Sequence, residues 1–147
     1  MDVLTSVLKE STDLYRQILD LEYKKYDAVL KNDIELLDKV VAEEQVFYMK
    51  MRGLEQKREK HLDSIGMKEK TLKEIIALVD NNQVLQEQYD EFSSIVKELK
   101  KINSLLKTVI EVQLNKIDKA MKDLGERENT YSNEKDENKG LLISRKI

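Results

Sequence analysis

The chain has 147 residues, 40% apolar and 37% charged, with Lys+Arg 26 against Asp+Glu 29 and neither cysteine, proline nor tryptophan. That mixture is too apolar for a chain disordered throughout and too charged for a thick globular core. Without cysteine there are no disulfides, thiol nucleophiles or thiolate metal sites. The two signs of charge interleave without a block of either, so nothing is built to neutralise a phosphate backbone and no nucleic-acid partner is expected. The opening MDVLTSVLKESTDLY holds acids and no uninterrupted apolar run. It therefore reads neither as a secretory signal nor as a membrane span, and a cytoplasmic protein without stable membrane insertion is expected.

With only Gly53, Gly66, Gly125 and Gly140 able to interrupt a helix on propensity grounds, long helices are the default. From Leu4 the apolar residues step by three and four through Val7, Ser11, Leu14, Ile18, Leu21, Lys25 and Ala28, the seam of a helix that needs another helix. Asn32 with Glu35 has the spacing of a capping box, so the KND segment predicts a tight reversal and an antiparallel hairpin. The second helix repeats the pattern at Ile34, Leu37, Val41, Glu44, Tyr48, Met51, Glu55, Arg58, Leu62 and Ile65. A flanking row, Val40, Phe47, Leu54 and His61, widens its stripe and calls for a third helix to cover it. Gly66 stands where a left-handed cap ends that helix.

Thr71 and Glu74 form a second possible capping box for a connector of about three turns bearing Leu72, Ile75, Ile76 and Val79. After NNQ at 81–83 the apolar spacing runs from Leu85 to Leu124 and stops at Gly125, predicting a fourth helix of roughly 42 residues and about 63 Å. No repeat of 20 to 50 residues is visible. The segment 126–140 is polar and aperiodic and reads as a mobile tail, ending in the apolar LLISRKI. The expected fold is all-α: an elongated antiparallel coiled-coil hairpin, a short connector helix and a long fourth helix in residues 1–125, then a flexible tail in 126–147.

Catalysis has little to stand on. His61 is the single histidine, Arg58 occupies the position three residues before it, and a di-iron site needs two Glu-x-x-His pairs. A phosphotransfer helix also carries one histidine, but His61 sits on the flanking row of the second helix, where packing explains it. The carboxylates have basic neighbours at helical spacing, as Glu55 has Arg58, and read as solvated faces. The glycines never cluster into a phosphate-binding loop. No catalytic residue, metal site or cofactor is expected.

Binding has more support. Between Leu105 and Ile117 the fourth helix is apolar on more than one side, with Leu105, Leu106, Val109, Ile110, Val112, Leu114 and Ile117, more than one seam can bury. Tyr131 is set apart from the other tyrosines in the polar tail, where an isolated aromatic can anchor a docking contact.

The hairpin turn in LKNDIELLDKVVAEEQ, the segment IGMKEKTLKEII, the helix LKKINSLLKTVIEVQL and the tail TYSNEKDENKGLLISRKI together resemble the FlgN family of bacterial flagellar type III export chaperones, over nearly the whole chain. The resemblance implies a chaperone that holds hook-filament junction proteins and hands them to the flagellar export gate. It implies a client surface on the fourth helix and tail, here assigned to Leu105, Val109, Val112, Ile117, Met121 and Leu124 with Leu141, Leu142 and Ile143. It places Tyr131 at the position of a gate-docking tyrosine. Family tails often continue from that tyrosine into an Asp/Asn-Gly turn, whereas Ser132 to Lys139 contains no glycine. The alternative is a structural coiled coil that self-associates as a homo-oligomer and has no secreted client.

Overall fold

The computed structural model describes residues 2–131, with side chains from Val3 to Glu126. Four helices account for them: α1 (Asp2–Lys31), α2 (Ile34–Ser64), α3 (Leu72–Leu78) and α4 (Gln83–Tyr131).

The helix ends follow local chemistry. α1 stops because Asn32 adopts φ 54°, a left-handed conformation that asparagine tolerates better than most side chains. Its N–H then reaches the Val29 carbonyl at 3.3 Å and the Asp33 N–H reaches that of Ala28 at 2.9 Å, the paired bonds of a Schellman end. Asp33, not Asn32, caps α2, its carboxylate accepting from the Leu36 N–H at 3.1 Å. The expected Asn32–Glu35 box therefore does not form: Asn32 is consumed in ending α1, and Leu36, three residues after the Asp33 cap, has no polar side chain to reciprocate.

α2 ends in the same way at Gly66, φ +72°, with bonds from the Gly66 N–H to Asp63 (3.1 Å) and the Met67 N–H to Leu62 (2.8 Å). Met67 then packs against the cluster containing Leu62, the apolar contact that accompanies such an end. Thr71 and Glu74 make the expected reciprocal box, both bonds 3.2 Å. α3 has seven residues, nearer two turns than three, since Val79 is already extended. Asn82 accepts the first helical bond of α4 on its carbonyl, 2.8 Å from the Gln86 N–H. Its side-chain amide turns back to the Ile76 carbonyl at 2.9 Å, tying the connector to the long helix.

α1 and α2 form an antiparallel hairpin. Leu4 shares a buried cluster with Leu62, Glu10 meets Lys57, Glu22 meets Tyr48 and Lys25 meets Glu44, so partners descend α2 as residues climb α1. α4 runs the other way. Leu8 clusters with Leu85, the Tyr15 and Phe92 rings lie 4.9 Å apart, Arg16 pairs with Glu91, and the Tyr23 hydroxyl donates to Glu98 at 2.7 Å. The last two pairs are both 75 residues apart in sequence, and a constant offset is the signature of parallel helices. At that offset α1 runs out of residues near Leu105.

α1 is accordingly buried along two rows. The expected seam of Leu4, Val7, Leu14, Ile18, Leu21 and Ala28 is buried, and so is a second row, Leu8, Thr12, Leu19, Glu22 and Val29. Thr12 satisfies its hydroxyl by donating to the Leu8 carbonyl, 2.8 Å.

On α2 the packed side chains draw on both rows read from the sequence. Val40, Glu44 and Leu62 are buried, Leu37, Phe47, Tyr48, Met51, Leu54, Arg58 and His61 are half-buried, and Glu55 is exposed. Ile34, at 71% exposed, Val41 and Ile65 lie outside the core. Residues in step from Val40 through Glu44, Phe47, Met51 and Leu54 keep a sustained four-three rhythm, so the real seam lies partly on the row expected to flank it. α3 supplies Ile75 (0% exposed) to the cluster with Leu4 and Leu62 and Ile76 (2%) to that with Leu8 and Leu85. Full burial of such a side chain contributes about 1.5–3 kcal/mol.

The chain divides into two units, Met1–Leu105 and Leu106–Ile147. The first holds the hairpin, α3 and the proximal part of α4; the described part of the second is the distal part of α4. That helix passes through Gly125 to Tyr131, beyond the end expected from the sequence. A lone glycine costs a helix only about 1 kcal/mol, and the Glu and Arg that follow it are good helix formers. Residues 132–147, with the expected tail and its LLISRKI end, lie outside the described residues.

Candidate functional site

α4 has buried side chains at Leu85, Ile95, Ile102 and Leu106. Among the described side chains beyond Leu106 none is buried, although the apolar spacing does not stop. Ile110, Leu114, Ile117, Met121 and Leu124 continue by four, three, four and three. At about 100° per residue these five fall within an arc of roughly 80°. Ile110 and Met121 are half-exposed, while Leu114, Ile117 and Leu124 stand at 58%, 47% and 53%.

Such a row is what one helix offers another. Exposed apolar residues elsewhere, such as Ile34 and Met49 on α2, each 71%, lack this sustained rhythm and need no partner. One edge of the distal row carries Glu111 and Asp118, the latter 3.4 Å from the Lys122 ammonium. The other edge carries the uncharged Gln113 and Ala120.

The residues singled out from the sequence separate on this geometry. Ile117, Met121 and Leu124 share the distal row. Leu105, Val109 and Val112 share an arc of about 60° centred roughly 130° away on the helix, with Leu105 and Val112 exposed by 48% and 47%. They do not form one face with the other three. Ile110 and Leu114 belong to the row but were not among the residues assigned to it, although their four-three spacing with Ile117 was the available signal. Tyr131 closes α4, but its side chain, like Leu141, Leu142 and Ile143, lies outside the described residues.

The first unit has its own concavity, a cleft of about 360 Å³ whose apolar walls include Leu4, Val7, Leu8, Leu72 and Phe92, with Glu55 and Arg58 at its polar side. Those two side chains satisfy each other at 2.9 Å. His61 is half-buried, and its Nε2 is sealed from solvent with no hydrogen-bond partner. A phosphoryl-accepting histidine must present a nitrogen to its donor, and this one does not present Nε2. Among the described residues no group of three or more His, Asp or Glu side chains could hold a metal ion, and no helix is long and apolar enough to cross a membrane.

A packed helical core with a heptad-spaced apolar row on the distal part of its longest helix defines an all-helical, coiled-coil class of protein. Within that class the chain belongs to the FlgN family, whose profile, described as FlgN protein, matches residues 1–139. It is thereby a flagellar export chaperone in the general sense, from a family of chaperones and not of enzymes. No curated protein and no solved structure matches the chain.

Proposed function

We propose that this chaperone acts in the cytoplasm, binding hook-filament junction proteins through the distal part of α4 and the C-terminal tail and delivering them to the type III export apparatus. The observation that supports this most is the exposed row Ile110, Leu114, Ile117, Met121 and Leu124, an apolar seam with no described side chain covering it. An amphipathic client helix laid along that row would bury it, with apolar anchors at the same four-three spacing. Leu105, Val109 and Val112 belong to the client surface as a second, separate strip. Leu141, Leu142 and Ile143 would add area as the tail closes over the client, at an entropic cost that keeps the complex reversible. Tyr131 is the residue proposed to dock on the export gate.

Titrating purified junction proteins against the intact chain and against Ile117→Glu/Met121→Glu tests the reading. The intact chain should bind, and the double variant should bind at least tenfold more weakly with an unchanged far-ultraviolet circular dichroism spectrum. Equal affinity for both would remove the distal row from the client surface. A homo-oligomer that persists unchanged when a junction protein is added would instead favour the self-associating structural coil.

A further inference from the structure

The hairpin buries a set of charges that does not balance. Glu22 on α1 is 1% exposed and Glu44 on α2 is 6% exposed, and the two lie within hydrogen-bonding reach of each other. Among the described residues, Lys25 is the cation that acts on both. The Lys25 ammonium lies 3.2 Å from Glu44 Oε1 and 3.4 Å from Oε2. Among the described residues, buried Glu44 Oε1 meets no donor other than that ammonium. From α2 the Tyr48 hydroxyl donates to Glu22 Oε1 at 3.4 Å. Among the described residues of α4 no cation acts on Glu22, and its Glu98 is engaged by Tyr23.

Two buried carboxylates facing one ammonium leave an excess negative charge in a poorly solvated site, and like charges at this range resist ionising together. A proton on Glu22 removes the excess and turns its contact with Glu44 from two facing acceptors into a donor and an acceptor.

We infer that Glu22 and Glu44 share one proton, completing a buried chain Tyr48–Glu22–Glu44–Lys25 that locks α1 against α2 in mildly acidic solution and loosens as the proton leaves to solvent. The lock is independent of which partner α4 holds. Burial first, and Glu44 second, hold the Glu22 carboxyl above its ordinary value of 4.5. The unfolded chain therefore loses this proton at lower pH than the folded chain does. The proton's contribution to stability is whole below 4.5 and falls away as pH rises through the folded value.

The experiment is a pH titration of the intact chain carrying ¹³C-labelled glutamate, followed by NMR, with thermal melts over the same range. One carboxyl step is expected clearly above 4.5. Glu22→Gln should abolish it and flatten the decline in melting temperature that the unsubstituted chain shows as pH rises from 4.5 toward neutrality. Glutamine also preserves an acceptor for Tyr48 and a donor for Glu44, so this variant should be the more stable chain at neutral pH. Should Glu22→Gln fail to fold, the titration of the unsubstituted chain still decides. If every glutamate there titrates at or below 4.5, the shared proton does not exist. Survival of the raised step in a folded Glu22→Gln chain overturns the assignment equally.

Discussion

Tyr48 brings a hydroxyl to the buried end of the hairpin and spends it on Glu22. Burial, then the carboxylates of Glu22 and Glu44, and the bond to Glu22 together push its hydroxyl up to about 12 from an ordinary 10.0. For an acid held neutral by folding, the stabilising contribution is intact below the unfolded value and is lost as pH climbs through the folded one. The protein should therefore weaken between about pH 10 and 12 as tyrosinate forms, read as the 295 nm absorbance rise coinciding with loss of helical circular dichroism. Tyr15 and Tyr23 are also raised, by burial and by the hydrogen bond to Glu98 respectively. Tyr48→Phe should thus reduce the alkaline slope without abolishing it. At neutral pH the same variant should lose about 1 kcal/mol in urea denaturation, the usual net worth of such a bond.

At the scale of the element, two glycines make opposite predictions. Gly66 holds φ +72° at the end of α2, with open space where a side chain would begin. Gly66→Ala meets no clash, so its cost is the left-handed backbone alone, about 1–2 kcal/mol of lost stability. Gly53 lies inside α2, also with nothing near its missing Cβ. Gly53→Ala should stabilise by about 0.5–1 kcal/mol through helix propensity. Denaturant midpoints of the two variants, measured side by side, should move in opposite directions, and a fall for Gly53→Ala would mean that α2 is not continuous there. The same logic explains α4: its glycine sits within a helical run that continues to Tyr131, so it does not act as a stop.

For the whole molecule, the core of the first unit and the exposed row of the second should respond independently. Ile75 of α3, 0% exposed and clustered with Leu4 and Leu62, should cost about 2–5 kcal/mol when changed to alanine. That loss should appear in the thermal melt of the free chain. Ile117→Glu places a charge on a side chain already 47% exposed, so the melt should stay within about 0.5 kcal/mol of the parent, and the change should appear only in client binding. A chain ending at residue 131 keeps all of α4 and should retain its helicity, whereas one ending at 125 removes helical residues as well as the tail. Comparing the two for client affinity separates the tail's contribution from that of the helix end.

Helix number, the capping box at Thr71, the glycine end at Gly66 and the α1 seam were all legible in the sequence, because each is encoded within a few consecutive residues or one helical repeat. Family resemblance was legible too, since it is carried by the order of those elements. Which side of each helix is covered is a different kind of information. The burial of Glu22, the second row of α1 and the mixed seam of α2 depend on where neighbouring helices lie. Periodicity reports that a face is apolar; only the packed structure decides whether another helix is there to bury it.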